Sequence, residues 1–128
     1  MTFGTALLFS AGVIAVVGRL GRDFEARVAV RGHSMEPTLF DGDWLLVDPE
    51  AYRRRSPSVG EIVVVHDPRE SDRVIVKRVV GLAGRSLQVG GDHPAHGHDA
   101  ADIGLVDEAQ VVGRAWFRYW PLERLGPV

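Results

Sequence analysis

Two residues stand out for the chemistry their types and settings could support, a serine and a lysine. Ser34 lies in Gly32-His33-Ser34-Met35-Glu36-Pro37-Thr38-Leu39, and Lys77 lies in Val74-Ile75-Val76-Lys77-Arg78-Val79-Val80-Gly81. Gly32 lets backbone approach closely, while Pro37 fixes its own φ and biases Glu36 toward extended geometry, so this segment can hold the Ser34 hydroxyl rigidly at a strand-to-turn junction. The Ser34 amide is then a candidate donor to a developing oxyanion. In the second segment, strand alternation brings Ile75, Lys77 and Val79 onto one apolar face and turns Arg78 to the other. Desolvation on that face disfavours the ammonium form and moves Lys77 toward use as a base near neutral pH. Together the two offer a hydroxyl nucleophile activated by an amine. Taken singly, each has a plain structural reading: the serine segment as a turn, the lysine as a snorkelling side chain on an edge strand.

Other candidates are weaker. His33 adjoins the serine, but neighbours on an extended chain point to opposite faces, which makes it a poor base. Glu36 stands where the Gly-x-Ser-x-Gly elbow of hydrolases has its last glycine. The chain has no cysteine, so disulfides, thiolate metal sites and a thiol nucleophile are excluded. Asp92, His93, His96, His98 and Asp99 are competent metal ligands by type. Their spacing matches no established metal motif, and a solvated loop is the preferred reading. No metal or cofactor is expected.

The elements that must position Ser34 and Lys77 read as short strands. With 128 residues, 45% hydrophobic and 25% charged, and a net charge of -2, the chain suits one modest domain and lacks the basic surface of a nucleic-acid binder. Arg53-Arg54-Arg55 reads as a solvated loop. Strands are expected at 25–31, 44–47, 59–65, 74–82, 86–89 and 111–119, divided by Gly, Asp and Pro turns, which indicates an all-β sandwich or partly open barrel. Before them Phe3 to Val17 is almost wholly apolar. It is expected to form an N-terminal helix, a marginal membrane span, giving an anchor over 1–22 and a β domain over 23–128. Arg19, Arg22, Arg27 and Arg31 follow that apolar run, a pattern that keeps the following domain on the cytoplasmic face.

From Val30 to Leu125 the chain resembles type I signal peptidases, the peptidase S26 group. Gly32 to Leu39 is similar to their nucleophile box, Gly60 to Val65 to the strand that follows it, and Val76 to Gly84 to their lysine box. A last motif begins at Gly91-Asp92, continues through Asp99 and closes at Gly104-Leu105-Val106. The resemblance implies a signal-peptidase-like or LexA-like, mostly β fold. It also implies a serine endopeptidase acting on precursor proteins with N-terminal leader peptides, with Ser34 as nucleophile and Lys77 as general base. Gly32, Met35, Pro37, Arg78 and Asp99 would be substrate-binding or structural, Asp99 pairing with Arg78. Ordinary members of the group work on the outer membrane face, against the arginine pattern. The short length and Gly113-Arg114-Ala115-Trp116-Phe117-Arg118-Tyr119 look closest to nickel-type superoxide dismutase maturation proteases, whose substrate is cytoplasmic. Departures include Gly32, where many bacterial members have a serine that adds an oxyanion donor, and Gly97 and Ala100, where hydroxyls are usual. A self-cleaving repressor-type domain and a non-catalytic membrane-tethered β module are the rival readings.

Overall fold

A computed structural model describes the backbone of residues 5–9, 13–20, 23–97 and 104–128, and the side chains of residues 27–70, 72–95 and 104–128. Ten strands form one antiparallel sheet: β1 (Thr5–Phe9), β2 (Val13–Leu20), β3 (Asp23–Val30), β4 (Trp44–Asp48), β5 (Ile62–Asp67), β6 (Glu70–Ala83), β7 (Ser86–Gly90), β8 (Gly104–Asp107), β9 (Val111–Trp120) and β10 (Gly126–Pro127). Their order is β1-β2-β3-β4-β9-β5-β6-β7-β8, with β10 on β9. One helical turn, α1 (Pro94–Gly97), and two 3-10 turns complete the described elements.

The mostly β fold expected from alternation is what forms, as one open sheet. β6 is longer than expected because Glu70 and its neighbours continue the hairpin with β5. β8 and β10 were not expected, being too short for alternation to register.

The N-terminal helix does not form in the described residues. Thr5–Phe9 and Val13–Leu20 are paired strands, and β2 runs in register with β3 from Val13↔Val30 to Leu20↔Asp23. Val13, Ile14, Val16 and Val17 are β-branched, and an apolar run this short has no periodicity that separates helix from strand. With β3 offering an open edge, extended pairing satisfies the backbone. No helix among the described residues is long and apolar enough to cross a membrane.

The core lies beneath the middle strands. Val28 and Val30 of β3, Leu45 and Val47 of β4, Val63 to Val65 of β5, Val74, Val76 and Val79 of β6, and Leu87 and Val89 of β7 are buried together. Ile62 to Val65 is buried as a continuous run, as expected for a strand covered on both faces. Gly113 lets β9 pass tightly against β4, since a Cβ there would run into the Asp48 carbonyl.

Candidate active site

Ser34 belongs to a chain of turns between β3 and β4. The Glu36 N–H donates to the His33 carbonyl at 3.2 Å, and the Thr38 and Leu39 N–H groups both donate to the Met35 carbonyl at 2.9 Å. Met35 and Leu39 point into the core, with 1% and 0% exposure, so the turn is pinned from below by two large apolar side chains. Gly32 supplies the entry bend: its φ of 87° lies in the left-handed region, and its N–H donates to Asp41 Oδ1 at 2.8 Å. Pro37 is exposed and joined to Glu36 by a cis peptide bond.

Lys77 reaches this turn from β6. Its backbone lies opposite Val63 of β5, and Ile75, Val76 and Val79 beside it are buried. Lys77 itself is only 7% exposed, and its Nζ lies 3.3 Å from Ser34 Oγ as donor to the hydroxyl. Two side chains 43 positions apart are thus brought into contact. The alternation that put Lys77 on an apolar face has its counterpart in this burial.

His33 turns away. Its side chain is 64% exposed and its Nδ1 meets Glu36 Oε2 at 2.6 Å, a hydrogen bond that, with the glutamate charge, raises the imidazole above its ordinary pKa.

Two charged clusters hold the turn. In the first, Asp92 accepts from Arg78 Nε at 3.0 Å and Arg78 Nη2 at 2.5 Å, and Asp92 Oδ2 also accepts from the Thr38 hydroxyl at 2.7 Å. Arg78 Nη1 donates in addition to the Gly60 carbonyl at 2.7 Å. The bidentate geometry keeps the guanidinium charged, the hydrogen bond to Asp92 raising the Arg78 pKa further. Arg78 thus has an acid partner that was not expected. Asp92 is the partner, because Gly91-Asp92 follows β7 directly and Arg78 pairs with Gly90 of that strand. Asp99 lies outside the described residues, as does Ala100. The neighbouring His93 N–H donates to the Ser34 carbonyl at 2.9 Å, a second tie from this loop to the serine.

In the second cluster the fully buried Asp43 accepts from the Phe40 N–H at 2.9 Å, from Arg118 Nη1 at 3.0 Å and from Arg124 Nη2. Arg118 Nη1 also donates to the Thr38 carbonyl at 3.0 Å. Thr38 is thus grasped twice, by its hydroxyl and by its carbonyl. None of Thr38, Asp43, Asp92 as Arg78's partner, Arg118 or Arg124 was found from sequence. Asp41-Gly42-Asp43 read only as a turn, and a buried acid among turn residues leaves no periodic signal.

Elsewhere Glu61 collects Arg55 at 2.7 Å, the Tyr52 hydroxyl at 3.0 Å and the Ser58 N–H at 2.9 Å. Partial burial alone would raise its pKa, but these partners bring it down to about 2. Burial, then the bond to Glu61, pushes the Tyr52 phenol up. Arg53 and Arg54 are exposed, as expected of a solvated loop. No group of three or more potential metal ligands occurs among the described residues.

Comparison with known proteins agrees with the motif resemblance. The family described as signal peptidase, peptidase S26, matches residues 3–93. The mitochondrial ATP-independent inner membrane protease subunit 1b of Arabidopsis thaliana is 30% identical over 120 aligned positions, covering 76% of this chain and 71% of the relative. The mitochondrial inner membrane protease subunit 1 of Xenopus tropicalis is 31% identical over 121 positions, covering 79% and 72%. The probable signal peptidase I-2 of Synechocystis is 26% identical over 167 positions, covering 98% and 73%. Those 167 positions exceed the 128 residues of this chain, so that relative carries segments that are missing here. With the family match spanning well over half of the chain, this protein belongs to the peptidase S26 family and is a protease of the signal peptidase type.

Proposed function

We propose that the protein is a serine endopeptidase that removes N-terminal leader peptides from precursor proteins, with Ser34 as nucleophile and Lys77 as general base. The observation that carries this reading is the 3.3 Å contact between Lys77 Nζ and Ser34 Oγ, made by a lysine with 7% exposure. A lysine removed from water this far is disfavoured as the ammonium, and its neutral form accepts a proton from the serine hydroxyl. Ser34 Oγ then attacks the scissile carbonyl carbon, and backbone N–H groups of the turn stabilise the oxyanion. As the C–N bond breaks, Lys77 returns its proton to the leaving amine. The acyl ester on Ser34 is released by a water that Lys77 deprotonates in turn.

An extended leader would bind by strand addition to an exposed sheet edge, with shallow pockets for small side chains beside the cleaved bond; the pocket preference is taken from the family resemblance. Gly32, Met35 and Pro37 shape the turn that presents Ser34, and Arg78 braces it. Residues 1–22, whose apolar strands β1 and β2 extend the sheet, bring the protein to a membrane surface, and Arg19, Arg22, Arg27 and Arg31 favour its cytoplasmic face. That face suits a cytoplasmic precursor, which keeps a nickel superoxide dismutase precursor as the second candidate substrate beside a secretory one.

The test is intact-mass spectrometry of the purified protein with each precursor, for the wild type, Ser34→Ala and Lys77→Ala. Cleavage by the wild type and by neither folded variant is expected, and the precursor that is cut identifies the substrate. Full activity in either variant overturns the assignment. Absence of both cleavage and acyl adduct in the wild type would favour a non-catalytic membrane-tethered module.

A further inference from the structure

The family model matches residues 3–93, yet one of the two polar grips on Thr38 in the Ser34 turn comes from beyond that match. Arg118 lies on β9, 80 positions from Thr38 and 75 from Asp43, with its side chain 15% exposed. Its guanidinium makes three hydrogen bonds: Nη1 to the Thr38 carbonyl at 3.0 Å, Nη1 to Asp43 Oδ2 at 3.0 Å, and Nε to the Arg124 carbonyl at 2.6 Å. The chain beyond β9 is built around this side chain. Gly126 pairs with Arg118, the Val128 N–H donates to the Trp116 carbonyl at 3.1 Å, and Arg124 folds back onto Asp43 and over the Phe40 ring at 5.1 Å.

We propose that Arg118 is a positioning residue for the nucleophile, through which the C-terminal segment sets the placement of Ser34. The proposal rests on the reading of Ser34 as nucleophile and adds to it a residue outside the family match. The route is short and covalent. Thr38 and Ser34 belong to one run of turns in which the Met35 carbonyl receives the Thr38 and Leu39 N–H groups, so the run moves as a unit. Asp92 holds Thr38 by its hydroxyl on one side and Arg118 holds its carbonyl on the other. Releasing the carbonyl leaves the turn pinned by Met35 and Leu39 but free to tilt about them, which moves the hydroxyl relative to Lys77. Arg124 reaches Asp43 Oδ1 while Arg118 reaches both Asp43 Oδ2 and the Thr38 carbonyl, so the two arginines separate positioning from mere anchoring of the tail.

The experiment measures the rate of Ser34 acylation by a serine-directed acylating reagent, by intact mass, alongside thermal unfolding. It uses the full chain as wild type, Arg118→Met, Arg118→Lys, Arg124→Met and Ser34→Ala. Arg118→Met is expected to slow acylation about 10- to 100-fold, because sub-ångström misplacement of a nucleophile is costly. Arg118→Lys, which keeps a donor and the charge, should recover part of that loss. Arg124→Met should lower the melting temperature and slow acylation of the folded protein less than Arg118→Met does, since Thr38 keeps its partner. Adding guanidinium ion at non-denaturing concentration should speed Arg118→Met and not Arg124→Met. Equal acylation rates in folded wild type and Arg118→Met, or equal losses in both arginine variants, would overturn the proposal. An adduct that persists in Ser34→Ala, or none in the wild type, would instead remove the nucleophile reading.

Discussion

The two arms that meet at the candidate active site are held by different forces. Lys77 stands on a regular strand, flanked by buried Val76 and Val79 and laddered to β5 from Ile62↔Arg78 through His66↔Val74. Ser34 stands on a run of turns whose position depends on side chains from far along the chain, Asp92 and Arg118 above all. A strand arm averages its placement over many backbone bonds and a packed core, so single substitutions cost stability before they cost geometry. A turn arm concentrates its placement in a few charged hydrogen bonds, each of which carries direction as well as energy.

The contrast is sharpest at Asp92. Asp92→Ala leaves the Arg78 fork and the Thr38 hydroxyl without their acceptor and frees the turn on one side. Turnover should fall about 100-fold, from misplacement of the nucleophile, with a loss of about 2 kcal/mol in stability. Steady-state kinetics and denaturant unfolding on one preparation check both figures. If turnover is unchanged while stability falls, the turn does not depend on this grip.

Val64→Ala probes the strand arm. Val64 is fully buried in β5 and pairs with Val76 of β6, one residue from Lys77. Removing two methyl groups should cost about 2 kcal/mol, while kcat of the folded protein stays within about threefold of wild type. A large fall in kcat with stability intact would erase the distinction between the arms.

The smallest effect is expected at Glu61, a charged cluster that does not touch the turn. Its carboxyl is held at about 2, below the ordinary value, so its contribution is fully present above about pH 4.5 and is lost as pH falls toward 2. Glu61→Gln should lower the melting temperature at pH 7, by an amount equivalent to about 1 kcal/mol given the half-exposed Arg55 partner, and should flatten its dependence between pH 5 and 2. A variant that keeps the wild-type acid sensitivity would show that other carboxylates dominate it.

The same division explains what could be read from the sequence. β3, β4, β5, β7 and β9 were legible because alternation and turn residues are local signals, and Lys77 was legible as a cation within such an alternation. Ser34 needed its motif, since no periodicity marks a turn. Asp43, Asp92, Arg118 and Arg124 act through ion-pair partners 14 to 81 positions away, and nothing in their neighbours announces this. Asp92 was not read as a partner of Arg78, because a motif gives order along the chain and not distance in space. The N-terminal run misled for the opposite reason: its apolar character was plain, but hydrophobicity without a period does not choose between helix and strand.

The central claim is that Lys77 serves as the base for Ser34, and the acylation rate of Ser34 as a function of pH tests it most directly, compared between wild type and Lys77→Arg. The account predicts a wild-type rate that rises with pH around an apparent pKa below the ordinary lysine value of about 10.4. It predicts a rate for Lys77→Arg at least about 1000-fold lower, because a guanidinium does not lose its proton in this range. A wild-type rate indifferent to pH, or a Lys77→Arg variant that acylates as fast as wild type, would contradict it.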